Sequence, residues 1–122
     1  MSVSFLTDKH FALSPNGKTQ LMMLKVPGLA LVYFKMIPRN SEGKLLAPDK
    51  NCEVFDPIYN AYANKESRVK CLCVDVYQFR HIVNMSKTSN TPITSVPSLV
   101  LYLDGYPKAK IKPQTSPGAL MH

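Results

Sequence analysis

The stretch "LALVYFKMI", residues 29–37, decides the fold. It is nearly continuous in apolarity and rich in branched and aromatic side chains, which is how a strand covered on both faces reads. Such a strand belongs in the middle of a sheet with a layer packed on each side. A chain of 122 residues, 45% hydrophobic and 19% charged, can bury one such core but not two, and this composition is not that of a disordered chain.

Working outward, "VSFLTDKHFAL" (3–13) alternates enough to suggest a first strand or extended entry near residues 3–12, which "SPNG" breaks. "KTQLMMLKV" (18–26) is expected to be a short helix stopped by Pro27 and Gly28. After the polar loop "PRNSEGKLLAPDKN" comes "NCEVFDPIYNAYA" (51–63), where Val54, Phe55, Ile58, Tyr59 and Tyr62 recur at helical spacing and form one apolar stripe. Asp49 or Asn51 can cap its start, and Pro57 should bend it by removing one internal hydrogen bond.

"RVKCLCVDV" (68–76) reads as a second strand apolar on both faces, and "YQFRHIVNM" (77–85) as a short helix with Phe79, Ile82 and Val83 on one side. "VPSLVLYLDGYPKAKI" (96–111) reads as a hairpin, with Asp104-Gly105 suited to a tight primed turn. The order predicts an α/β layered sheet with crossover helices and a C-terminal antiparallel hairpin. The domain is expected to span 1–112, with 113–122 as an irregular tail, since its two prolines and glycine oppose a helix.

The net charge of +7 raises the question of nucleic acid. Arginine occurs only at Arg39, Arg68 and Arg80, and the basic residues are spread along the chain. Base or phosphate readout usually brings arginine clusters and aromatic platforms, so the charge reads instead as a solvated basic face or a docking patch for an acidic protein. The one concentration is "PKAKIK", where Lys108, Lys110 and Lys112 alternate and would share a face of a strand.

The longest apolar run is far below the roughly 20 residues of a membrane span, so no transmembrane segment is expected. Three cysteines, an odd number, argue against a disulfide framework and agree with a reducing, intracellular compartment. Cys71 and Cys73 would share one face of a strand as core packers. No cysteine–histidine set shows metal-site spacing, and His10, His81 and His122 form no triad pattern, so neither a metal nor a cofactor is expected. Cys52, at a helix start, is the candidate nucleophile, because free amides and the helix dipole favour a thiolate there. Asp49 in the same turn would oppose that effect.

Four pieces in order, "LVYFKM", "CEVFDPIYNAYA", "CLCVDV" and "ITSVPSLVLYLDG", resemble the thioredoxin-like superfamily over roughly residues 5–112. The resemblance implies a mixed sheet with flanking helices and makes Pro97 a cis proline between Val96 and Ser98. It also implies departures. The attacking cysteine of the CxxC pair falls on Asp49, Cys52 keeps the place of the second cysteine, and the buried acid falls on Tyr33. The usual final helix is missing.

These losses imply a non-catalytic module acting as a structural or interaction component among other protein subunits. The alternative is a monothiol or disulfide oxidoreductase using Cys52. "MSKTSNTPITSVPSLVLYLDGYP" (85–107) is also similar to thioredoxin-like proteins of large icosahedral DNA viruses, in which such domains serve as minor capsid components.

Overall fold

A computed structural model describes residues 3–46 and 49–113. The chain runs β1 (Ser4–Phe5), a 3-10 turn (Asp8–His10), β2 (Phe11–Asn16), β3 (Thr19–Leu24), β4 (Leu29–Lys35), α1 (Lys50–Lys65), β5 (Lys70–Asp75), α2 (Arg80–Ser86), β6 (Ser98–Leu103) and β7 (Tyr106–Ile111). Five strands form a mixed sheet in the order β1-β5-β4-β6-β7. β4 lies at its centre, parallel to β5 and antiparallel to β6.

The apolar run of β4 serves two cores because successive side chains point to opposite faces. Ala30, Val32 and Phe34 join Leu72, Val74, Val100 and Tyr102 on the first face, closed by Phe11, Met22 and Leu24 from β2–β3 and by Ile82 of α2. Leu31 and Tyr33 join Cys71, Cys73 and Leu99 on the second face, under Phe55, Ile58, Tyr59 and Ala63 of α1. The Tyr59 hydroxyl lies between the Leu31 and Leu72 carbonyls, at 2.8 and 2.7 Å.

The helix expected over 18–26 is instead β3, paired antiparallel with β2 as a separate two-stranded sheet. The cause is the turn. Asn16 pairs with Thr19, leaving a two-residue connection whose first member, Gly17, has φ +63°, the position that a type II′ hairpin turn reserves for glycine. Strand alternation then buries Met22 and Leu24.

This hairpin is tied to the last one at Gly105, whose carbonyl accepts from the Leu24 amide at 3.0 Å. A Cβ on Gly105 would stand 2.7 Å from the Leu24 carbonyl oxygen, so the close approach requires glycine as well as the turn does. Asp104 and Gly105 have φ of 49° and 89°, the primed turn the sequence predicts.

α1 begins at Asp49, whose carboxylate accepts from the Cys52 amide at 3.1 Å, and Pro57 lies inside it. Of the expected stripe, Phe55, Ile58 and Tyr59 are buried and Tyr62 packs at the margin, while Val54 is exposed. Between β6 and β7 the register shifts: Leu101 pairs with Ala109 but Tyr102 with Pro107, leaving Lys108 as the extra residue of a bulge.

No element among the described residues covers the second face over β6 and β7, where Leu103, Tyr106 and Ile111 are 43%, 52% and 38% exposed. Residues 114–122, within the expected tail, lie outside the described residues. No helix among the described residues is long and apolar enough to cross a membrane.

Candidate functional site

The site to test is the start of α1, where the sequence sets a lone thiol. Cys52 is free and only 1% exposed. Burial pushes its pKa up. The Met36 backbone and the Tyr33 hydroxyl act in the opposite direction, and the Asp49 carboxylate adds to the rise. Asp49 also takes the Cys52 amide as the N-cap ligand, so the negative charge that the helix start favours is already supplied by a carboxylate.

Beneath Cys52 lies a polar cluster that the sequence reading did not find. Tyr33, on β4, donates its hydroxyl to Asp56 Oδ1 at 2.7 Å and lies 3.4 Å from the Cys52 carbonyl oxygen. Lys35 Nζ, two residues along the same strand face, reaches both Asp56 oxygens at 2.8 Å and stands 5.5 Å from the Tyr33 ring centroid. One carboxylate thus accepts from a phenol and an ammonium and fastens α1 to β4. Burial and the Asp56 carboxylate hold the Tyr33 phenol well above its ordinary pKa, so it is a neutral donor and not a base. The only sequence signal was a lysine closing an apolar strand and an acid one turn beyond Cys52.

The cluster leads to a stability prediction. The Lys35 and Asp56 side chains are 14% and 36% exposed. Breaking a fully buried pair costs roughly 3–5 kcal/mol, so with a partly solvated carboxylate Asp56→Ala is expected to lose about 2 kcal/mol in urea unfolding. Lys35→Met combined with Asp56→Ala should cost clearly less than the two single changes added together. Strict additivity would show that the contact contributes nothing.

Cys73 sits beside Tyr33 in the strand register, and burial pushes its thiol up to about 12, with the charge of Cys52 among the smaller causes. Cys71 is also raised by burial. Both belong to the core under α1, as their shared face predicts. The Val96–Pro97 bond immediately before β6 is cis, as the resemblance implies.

The three lysines do not act as one row. Lys108, at the bulge, has its Nζ 5.8 Å from the Tyr106 ring centroid. Lys110 pairs with Val100 on the first face and donates to the Pro92 carbonyl. Lys112 is exposed beyond the end of β7.

His10 belongs to a capping box with Thr7, and His81 pairs with Asp8. His122 lies outside the described residues. No group of three His, Cys, Asp or Glu side chains among the described residues could hold a metal ion. A surface cavity of about 400 Å³ opens beyond the ends of β4 and β5, lined by Met36, Val76, Tyr77, Arg80, Val83 and Asn84.

No family model matches the chain, and no curated protein matches it. Solved structures do. Mitochondrial thioredoxin 3 of Saccharomyces cerevisiae, in its oxidized form, is 19% identical with a TM-score of 0.56, over 78% of this chain and 74% of that one. A chain from a structural study of thiol resolution in yeast mitochondrial 1-Cys peroxiredoxin is 17% identical with a TM-score of 0.63, over 98% of this chain and 91% of that one. Thioredoxin NaTrxh of Nicotiana alata is 15% identical with a TM-score of 0.56, over 80% and 70%. At these identities the likeness establishes the fold, which is thioredoxin-like.

Proposed function

We propose that this chain is a redox-silent thioredoxin-like module that works by binding protein partners inside a larger assembly. The capsid of a large DNA virus is the case that the sequence resemblance suggests. The observation that carries the reading is at residues 49 and 52. The place of an attacking thiol holds a capping carboxylate, and the thiol that remains is 1% exposed with its pKa raised. Disulfide exchange needs a thiolate that can reach its target and a second thiol to release the product. An odd number of free thiols suits a reducing, intracellular compartment.

The second reading, an oxidoreductase using Cys52, draws on the redox titles among the similar structures. One experiment separates the two. With dithiothreitol as reductant, the protein is expected not to accelerate insulin reduction. At pH 8, iodoacetamide should modify Cys52 at least tenfold more slowly in the folded protein than in urea. Turnover that disappears in Cys52→Ser would overturn the proposal and establish the alternative.

A further inference from the structure

The part of the second face that no element among the described residues covers has a definite shape and charge. Its cross-strand rows are Leu103 with Tyr106, Leu101 with Ala109, and Leu99 with Ile111. Leu99 is buried under α1, and exposure grows toward the outer strand. From the Leu103 row to the Leu99 row the strip runs about 13 Å along the strands, at roughly 3.3 Å per residue. Lys108 stands at one border, over Tyr106, and Lys112 lies past Ile111 at the other end. Among the described residues neither has a carboxylate partner: the basic side chains in contact with a carboxylate are Lys35 on Asp56, Arg68 on Glu66 and His81 on Asp8. The nearby Asp104 is exposed, and one of its carboxylate oxygens accepts from the Gly28 amide at 2.8 Å.

We infer that this strip is the docking site for an amphipathic helix from another protein, with an apolar face bordered by acidic side chains. This rests on the redox-silent reading and names the partner's chemistry. The apolar rows need a covering layer, and a helix beside α1 completes the layer on that face. A helix laid along about 13 Å presents apolar residues at i, i+4 and i+8, at roughly 1.5 Å per residue. Charge complementarity selects the partner. A second copy would bring a like charge against Lys108, in a chain already at +7, whereas Glu or Asp along the helix flank would meet Lys108 at the Tyr106 border. The chain's own residues 113–122 carry Pro113, Pro117 and Gly118 and cannot supply three helical turns.

The test uses the full chain and two fluorescent 14-residue helical peptides, each with Leu at i, i+4 and i+8 and flanked by either Glu or Lys. At low salt the Glu peptide is expected to bind at least tenfold more tightly than the Lys peptide. Leu103→Ser with Ile111→Ser, both at exposed positions, should weaken it tenfold or more without changing the circular dichroism spectrum. Lys108→Glu should abolish the preference.

Equal binding of both peptides, or no binding of either, overturns the inference. A dimer in light scattering that Leu103→Ser abolishes assigns the strip to a second copy and overturns it as well. So does binding that appears only after deletion of residues 114–122, since the tail would then be the occupant. Insulin turnover through Cys52 would sink the redox-silent reading while leaving these peptide affinities as they are, so the two failures can be told apart.

Discussion

Phe55→Ala is expected to remove about 4 kcal/mol of stability, a large fraction of the roughly 5–15 kcal/mol that holds a domain folded. Phe55 is fully buried and completes a three-ring cluster. Its ring meets Tyr33 edge-on at 5.0 Å and 88°, and lies 5.9 Å from Tyr59, which itself is 5.0 Å from Tyr33. Truncation loses the transfer energy of the ring, opens a cavity, and forfeits two aromatic contacts worth roughly 0.5–1.5 kcal/mol each. Tyr33 and Tyr59 hold their places by hydrogen bonds to Asp56 and to strand carbonyls, so the site cannot easily collapse. Phe55→Leu, which keeps most of the volume, should cost only about 1–1.5 kcal/mol. Urea midpoints at neutral pH measure both. An alanine variant within 1.5 kcal/mol of the parent would mean that this cluster does not hold α1 to the sheet.

The second large effect is alkaline loss of stability. Burial raises all three thiols, Cys73 up to about 12. In the unfolded chain a thiol ionises near 8.5. Below that pH both states hold the proton and the full contribution is present. Above it the unfolded state sheds protons that the folded state keeps, so stability falls as pH rises, and for Cys73 it continues to fall to about 12. Each such thiol contributes a slope of about 1.4 kcal/mol per pH unit. At pH 10 Cys73 alone accounts for about 2 kcal/mol, with Cys52 and Cys71 adding in the same direction. Urea midpoints at pH 7.5, 9 and 10 should drop progressively, and Cys73→Ala should flatten the decline by about one proton. Constant stability across that range would mean that the thiols are hydrated in the folded protein.

The central strand was legible because β4 is covered twice, and such a strand needs no alternation to be recognised. The Asp104-Gly105 turn was legible for a similar reason: two adjacent positive φ values leave few residue choices. β3 was not. "KTQLMML" is built from good helix formers, and Leu21, Met22 and Leu24 fit helical spacing as well as they fit a strand. What decides it is the Gly17-Lys18 connection, which marks a break in the sequence and is a hairpin turn in the fold. The row of lysines failed for another reason. Strict alternation assumes an unbroken ladder, and the bulge at Lys108 depends on how β7 meets β6, which no local pattern in the sequence records. At the candidate site, Asp49 and Cys52 followed from position. The Tyr33–Asp56–Lys35 cluster did not, because its members come from two elements and meet only in the folded chain.

The strand order carries a consequence for synthesis on the ribosome. β1 leaves the ribosome before the other strands of its sheet, yet its ladder partner is β5, with Ser4 beside Leu72 and Phe5 beside Cys73. The β2–β3 hairpin can close as soon as it leaves the exit tunnel, but β1 has no neighbour until residues 70–75 follow. Until then β4 too has both edges bare, since β5 and β6 are its only ladder partners among the described residues. The nascent sheet therefore cannot grow strand by strand from the amino end, and it assembles around the late arrival of β5. A stalled or truncated product would carry the apolar central strand β4 open on both sides, which makes it a substrate for chaperones and proteases.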